Sequence, residues 1–367
     1  MKILLCISSL GAGGAERVAV TMANFWTSST SNDVTIVTLS PSAMLPFYEI
    51  DPAVTIVNFD GELAKLTGLR AVKARICYIR KSFVRIRPDV IISFIDQLNV
   101  YCLAAAAFTG IPVIVTEHID IAYHDIGALW NFLRNIFYPM AIAVVCVSKG
   151  VLSSMPVHLR KKCFVIYNPI NTNSKRYAYD KPHDSNARKV VMSMGRLVRQ
   201  KGFDMLIRSF GLLADKHPDW DLAIYGDGTD REKLNLLVGS CGLASRITIY
   251  GTTHSPDAVM SNADLFVLSS RYEGFGLVLC EAMSYGLPVI SFDCPSGPRE
   301  IVTHEFNGLL VPPENVHALA ESMNLLMGDE KHRNKLAKNA VLISQKFGIG
   351  VIMNQWDQFI KQLIHSN

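Results

Sequence analysis

Ser269-Ser-Arg-Tyr-Glu-Gly-Phe-Gly-Leu-Val-Leu-Cys-Glu-Ala-Met-Ser-Tyr-Gly-Leu-Pro-Val-Ile290 is the stretch on which the fold turns. A buried strand ends near Leu268, a loop holds Glu273-Gly-Phe-Gly276, and the pattern predicts a helix from Gly276 or Leu277. Glycines let a ligand approach backbone closely, and the free N–H groups of a helix start favour an anion such as a diphosphate. Glu273 then stands at the mouth of the strand, with Glu281 over a turn into the helix. Two carboxylates flanking an anion site can grip hydroxyl groups on either side of it. The plain alternative makes Glu273 a helix cap and Glu281 a solvated helix residue. That explains either glutamate alone, but not the whole string on a strand–loop–helix.

Outward from this stretch, short apolar runs alternate with helical segments. In the first half they are Lys2–Ser8, Asp33–Leu39, Val54–Phe59, Asp89–Phe94, Val113–Thr116, Ala143–Val147 and Phe164–Tyr167. In the second they are Lys189–Ser193, Asp221–Tyr225, Arg246–Tyr250, Asp264–Leu268, Pro288–Phe292 and Gly308–Val311. Such alternation indicates parallel βαβ units, here in two sets. The polar, aperiodic Asn171–Arg188 reads as the linker between them, giving an α/β chain with one domain over 1–172 and a second over 186–347. Two helical patterns close the sequence, Lys331–Lys346 and Val351–His365, with Gly348 and Gly350 between them as a hinge or cap. Ligands of open α/β sheets bind beyond the carboxyl ends of the strands.

Composition agrees. The 367 residues suit two domains at roughly 150 residues each. Hydrophobic residues at 49% against 19% charged exclude disorder and fit strands buried on both faces. A formal net charge of +4 over this length does not point to nucleic acid. The eight cysteines form no CxxC pair and no zinc spacing, and most lie in apolar runs, which indicates a reducing cytosol. Val100–Val115, the most apolar long stretch, falls short of a membrane span. The opening MKILLCISSLGAGGAER reads as strand, glycine loop and helix rather than as a signal peptide.

The quoted stretch resembles the E-x7-E signature of retaining glycosyltransferase family 4, enzymes of the GT-B fold. Further matches follow in order: Gly13-Gly14-Ala-Glu-Arg17, Thr116-Glu-His118, Tyr167-Asn-Pro-Ile170, Gly195-Arg-Leu-x3-Lys201-Gly-Phe-Asp204, Gly226-Asp-Gly228, Gly297-Pro-Arg-Glu300 and Gly308-Leu-Leu-Val-Pro312. Ser93–Asn99 (SFIDQLN) with the TEH after it further resembles bacterial members that extend lipid-linked oligosaccharides, O-antigens or capsules. The resemblance implies two facing Rossmann-like domains with an interdomain cleft, and a final helix, 350–367, packing back on the first. It implies that Arg196 and Lys201 contact the donor diphosphate, that Glu281 holds ribose hydroxyls and Glu273 a hydroxyl of the transferred sugar, and that Phe275, Gly276 and Leu277 offer backbone N–H groups beside Gly274. It places Gly13 and Gly14 beside diphosphate and acceptor, and His118 at the anomeric carbon with its main-chain carbonyl as the active part.

Other features are read from the residues. Gly11-Ala-Gly13-Gly14 is not a dinucleotide fingerprint: the third glycine would be position 16, which is Glu16, and the second strand ends in Thr38-Leu-Ser40 without an acid. Asp96, at the end of its strand, either hydrogen-bonds an acceptor hydroxyl or caps the next helix. Asp219-Trp-Asp221 is a metal-holding pattern in other glycosyltransferases, but it enters a strand at the end away from a ligand, so no metal is expected. Arg70, Lys73, Arg75, Arg80, Lys81, Arg85 and Arg87 form a run with no acid between Ala64 and Pro88. Leu69, Val72, Ile76, Ile79, Phe83 and Ile86 share one helical face and all the cations except one take the other. This favours an anionic membrane surface or a diphosphate lipid over an ordinary solvated face.

The expected activity is transfer of a hexose or N-acetylhexosamine from a UDP-sugar to a polyprenyl-diphosphate-linked saccharide, with retention, on the cytoplasmic face of the inner membrane. The rivals are a sugar-nucleotide epimerase of the same fold, a retaining glycosidase and a non-catalytic sugar-nucleotide binder.

Overall fold

The computed structural model describes residues 1–41, 44–59, 66–171, 178 and 187–365. It divides into two compact units, Met1–Pro169 with the tail from Ile349, and Ile170–Gly348. Most of the Asn171–Arg188 linker lies outside the described residues, as do Ala64 and Lys65 at the start of the basic run.

The first unit runs β1 (Lys2–Ile7), α1 (Gly14–Ser29), β2 (Asp33–Pro41), β3 (Thr55–Phe59), α2 (Gly68–Ile86), β4 (Val90–Phe94), α3 (Asp96–Ala106), β5 (Val113–Glu117), α4 (Ala128–Phe137), β6 (Ala143–Cys146), α5 (Lys149–Ser154) and β7 (Cys163–Val165). Its sheet is parallel throughout, in the order β3-β2-β1-β4-β5-β6-β7. Every residue of β4, β5 and β6 is buried, which is why these strands read as unbroken apolar runs. The strand order reverses between β1 and β4, and Cys6 pairs with Ser93, which pairs in turn with Val115. That register brings the Gly13–Gly14 loop, Asp96 and His118 out at one edge of the sheet.

The second unit runs β8 (Lys189–Met194), α6 (Phe203–Gly211), β9 (Trp220–Tyr225), α7 (Arg231–Ser240), β10 (Ile247–Tyr250), α8 (Pro256–Asn262), β11 (Leu265–Leu268), α9 (Leu277–Ser284), β12 (Val289–Phe292), α10 (Pro298–Ile301), β13 (Leu309–Val311), α11 (Val316–Gly328), α12 (Glu330–Ala340) and α13 (Ile343–Phe347). Its parallel sheet is ordered β10-β9-β8-β11-β12-β13, with the reversal between β8 and β11. The loops after those two strands carry Arg196, Lys201 and Glu273.

The chain returns to the first unit as α14 (Ile349–His365). Trp26 of α1, fully buried, donates its indole N–H to Asp357 at 2.7 Å, and Phe164 meets Phe359 edge to face at 4.9 Å. Of the two glycines expected as a hinge or cap, Gly348 is the C-cap of α13 and Gly350 is not a cap. Gly348 takes extended backbone at the end of α13, while Gly350 lies inside the first turn of α14. The single helix expected over Lys331–Lys346 is two, since the backbone breaks between Ala340 and Ile343.

The basic helix α2 also departs from its sequence pattern. Only Ile79 and Phe83 of its apolar stripe are fully buried, joined by Ala71 and Ser82, and Leu69 is 86% exposed. Arg75 reaches Tyr101 Oη at 3.5 Å, and Arg80 donates to the carbonyls of Ala105 and Ala107, satisfying the end of α3.

Candidate functional site

In the second unit, the loops after β8 and β11 are built on backbone contacts that exclude a Cβ. A Cβ on Gly226 would lie 1.9 Å from the Gly195 carbonyl oxygen, and one on Gly297 would lie 2.0 Å from that of Phe275. Gly226 and Gly297 therefore serve to pack one strand-end loop on another. Gly276 differs: a Cβ there would meet only ordinary contacts of 3.5 Å or more, and at φ +97 it caps α9 at its start. Leu279 and Cys280 turn their N–H groups back to the Gly276 carbonyl, and the N–H groups before them lie outside the helical ladder.

Lys201 and Glu273 meet here. Lys201 Nζ is 2.6 Å from Glu273 Oε1, which also accepts from Ser270 Oγ at 2.7 Å, and Glu273 is 6% exposed. The family resemblance implied separate ligand contacts for the two residues; the structure couples them directly. Lysine has three donors, and Glu273 Oε2 adds further acceptor capacity, so both groups can meet a ligand while paired. A Cβ on Gly195 would lie 3.4 Å from the Lys201 stem. Arg196 is exposed and forms no ion pair among the described residues. Gly274 and Phe275 are buried, Leu277 is half-buried, and Glu281 is 5% exposed on α9.

Asp219 and Asp221 are occupied elsewhere. Lys189 holds Asp219 at 3.0 Å, and Asp221 is shared by Arg188 at 2.6 Å and Arg246 at 3.0 Å, all at the entry to β9. These cations keep both carboxyls below the ordinary aspartate range.

In the first unit, Gly13 is the N-cap of α1, with Glu16 folded back over it, and the side of Gly14 is open. Ser9 Oγ donates to Glu16 Oε1 at 3.1 Å. His118 is half-buried, stacks on Phe94 at 5.2 Å, and has Nε2 3.0 Å from Thr116 Oγ1. Burial lowers its pKa to about 4, against a smaller upward pull from Asp96, so the ring is neutral at neutral pH.

Asp96 opens α3 without capping it through its side chain. Its carboxylate instead faces His124 Nε2 at 3.2 Å and Arg134 at 3.7 Å. Behind it lies a buried polar cluster that sequence reasoning missed. Glu117, fully buried at the end of β5, accepts a short hydrogen bond from Tyr138 Oη and lies 3.4 Å from Arg134 Nε. Asn99 Nδ2 lies 3.0 Å from both Tyr138 Oη and the Thr116 carbonyl. Burial raises the Glu117 carboxyl to about 7, with Arg134 opposing and Asp96 reinforcing the shift. The sequence did carry a signal: Asp96 and Asn99 lie in SFIDQLN, Glu117 in TEH, and Arg134 is the one charged residue of α4.

Comparison with known proteins covers nearly the whole chain. Residues 12–174 match the family described as Glycosyltransferase Family 4, and residues 176–342 match Glycosyl transferases group 1. A Campylobacter jejuni enzyme described as a GalNAc-alpha-(1->4)-GalNAc-alpha-(1->3)-diNAcBac-PP-undecaprenol alpha-1,4-N-acetyl-D-galactosaminyltransferase is 28% identical, over 99% of each chain. The amylovoran biosynthesis glycosyltransferase AmsD of Erwinia amylovora is 27% identical over 98% of this chain and 99% of its own. Among solved structures, Anabaena Alr3699/HepE in complex with UDP and glucose superposes with a TM-score of 0.80 at 22% identity, over 98% of this chain and 99% of that one. Sucrose-phosphate synthase from Thermosynechococcus elongatus reaches 0.87 at 20% identity over the full length of both.

Proposed function

The chain belongs to glycosyltransferase family 4 and is a glycosyltransferase of the GT-B fold, and from that premise we propose that it moves a hexose or N-acetylhexosamine from a UDP-sugar to a polyprenyl-diphosphate-linked saccharide with retention of configuration. The observation that carries this reading is the Lys201–Glu273 pair, set at the strand-order reversal beside the Gly276-capped start of α9. Arg196, Lys201 and the helix N–H groups meet the charge that develops as the diphosphate departs. Preorganised donors of this kind are worth most where water is excluded. Glu273 and Glu281 hold hydroxyls of the sugar and the ribose. The departing diphosphate takes the acceptor proton, the His118 carbonyl supports positive charge at the anomeric carbon, and no metal takes part. The undecaprenol-linked substrate in the Campylobacter relative's name supports the lipid-linked acceptor, and UDP with glucose in the Anabaena structure supports the donor.

The same reading places the enzyme peripherally on the cytoplasmic face of the inner membrane. No helix among the described residues is long and apolar enough to cross a membrane. Arg70, Lys73, Arg80, Lys81, Arg85 and Arg87 are exposed on and just beyond α2, though Arg80 is anchored to the end of α3. On α4, Leu129, Phe132 and Ile136 are exposed at helical spacing, with Met140 one turn beyond. Cations together with an exposed apolar stripe suit an anionic bilayer surface.

The test is a panel of UDP-sugars offered with polyprenyl-diphosphate-linked acceptors and read by mass spectrometry. One sugar should be added with retained configuration. An epimerised UDP-sugar formed without acceptor would replace the proposal with the epimerase reading, and failure to bind UDP would remove it.

A further inference from the structure

The buried cluster behind Asp96 has no direct part in the proposed chemistry, yet it is expensive to keep. Ion pairs taken out of water are often no more stabilising than apolar residues of the same volume. Here the satisfaction is also incomplete: Glu117 Oε2, Arg134 Nε and Asn99 Oδ1 are buried without a hydrogen-bond partner among the described residues. Such groups call for a reason beyond stability.

The backbone supplies one. Ile95 has φ +71 and Asp96 has φ +22, a left-handed elbow between β4 and α3 that includes a β-branched residue. Strained residues of this kind persist only where their surroundings over-determine them. The Ile95 N–H donates to the Thr116 carbonyl at 3.3 Å, and the Asn99 amide binds the same carbonyl. Arg134 then spans the ends of both strands, its guanidinium facing Asp96 beyond β4 and Glu117 on β5, the residue before His118. Asn131 accepts from its NH1 at 3.1 Å, and the Tyr138 ring lies beneath it at 5.8 Å.

We propose that Arg134 is a positioning residue for the acceptor, holding the Asp96 carboxylate at its strained elbow with a strength set by the charge on Glu117. The inference rests on the reading that Asp96 contacts the acceptor. With Glu117 neutral, Asp96 is the one carboxylate that Arg134 faces among the described residues; with Glu117 ionised, the two carboxylates divide one guanidinium. The groups facing Glu117 are Asp96 after β4, His124 from the loop between β5 and α4, Arg134 and Tyr138 from α4 and its following turn, and the thiols of Cys146 and Cys163 on β6 and β7. The carboxyl's rise to about 7 puts the change near neutral pH.

The experiment measures acceptor KM and kcat separately between pH 6 and 8.5, with UDP-N-acetylhexosamine and a polyprenyl-diphosphate-linked N-acetylhexosamine as probes. The wild-type acceptor KM should rise by at least about threefold across this range, a change on the scale of coupling between neighbouring groups. Glu117→Gln should keep the low KM throughout, and Arg134→Lys should raise KM at every pH while moving kcat less. UDP affinity, read by calorimetry, should be unchanged in both variants, and two-step thermal melts matching the wild type show that the first unit is folded. A flat wild-type profile, or a Glu117→Gln profile that still bends, overturns the inference. Asp96→Asn separates the two levels. If it raises KM while Arg134→Lys does not, the positioning role fails alone; if it leaves KM unmoved, the acceptor role of Asp96 fails as well.

Discussion

Lys201 Nζ lies 2.6 Å from Glu273 Oε1, joining the loop after β8 to the loop after β11 across the point where strand order reverses. The contact has two consequences. It fixes the ammonium beside the start of α9, and it neutralises a carboxylate that would otherwise be buried alone.

Lys201→Ala should therefore act on both activity and stability. Loss of one preorganised charge contact to a departing group lowers turnover by ~10²-fold or more. Removal of one partner of a largely buried pair leaves the other uncompensated, with losses of about 3 kcal/mol. Glu273→Gln spares the fold more, because Ser270 can still donate to its carbonyl oxygen, but it should also lower turnover. Steady-state kinetics and thermal melts separate the two effects, and near-normal kinetics for Lys201→Ala would remove Lys201 from the donor site.

Glu117 predicts a pH dependence of stability with a definite sign. Its carboxyl binds a proton more tightly folded than unfolded, rising from an ordinary 4.5 to about 7. The native state then holds more protons between those values, so stability falls as pH rises through the window. The full swing is at most about 3 kcal/mol. His118 opposes it over a lower window: its pKa falls from 6.5 to about 4, and stability from that source is lost as pH drops through this range. Denaturant titrations at pH 5 and pH 8 should show Glu117→Gln gaining on the wild type at the higher pH. An equal gap at both would mean that Glu117 stays ionised throughout.

The strands were legible because parallel sheets bury both faces, so each strand is a short apolar run bounded by polar residues, as Ala143–Val147 shows. Lys201, Glu273 and His118 were legible because they sit at strand ends within recognisable strings. What the sequence hides is which side chains meet. Arg134 is the one charged residue on its helix, and nothing local shows that it reaches carboxylates 17 and 38 positions earlier. Glycine was ambiguous for a related reason: φ > 0 and close loop packing impose the same residue as ligand approach, and only the Cβ distances at Gly226 and Gly297 separate them. The α2 stripe misled at Leu69, since periodicity describes a face and not what covers it.

The cations of α2 should govern binding to anionic vesicles. Lys73→Glu with Lys81→Glu reverses two exposed charges that form no ion pair among the described residues. Each cation near an anionic surface contributes about 1 kcal/mol, so the double variant should bind phosphatidylglycerol vesicles at least tenfold more weakly, and wild-type binding should weaken with salt. Phe132→Ser on α4 should weaken binding with little change in salt dependence. Flotation with neutral vesicles is the control; equal binding to neutral and anionic vesicles contradicts the electrostatic part.

Trp26 and Asp357 are 331 positions apart, and their 2.7 Å hydrogen bond ties α14 to α1. Asp357→Ala leaves the indole N–H of a fully buried tryptophan without its acceptor. The loss should be about 1–3 kcal/mol, the cost of an unsatisfied buried donor. Trp26→Phe removes the donor as well, but leaves a cavity where the larger ring was, so it should cost more. The double variant should lose less than the sum, because Asp357 has no indole to satisfy once Trp26 is gone. If the loss is confined to α14, hydrogen exchange will rise in residues 349–365 while the β4–β6 core stays protected. Strict additivity of the two substitutions would show that the contact contributes nothing to holding the last helix.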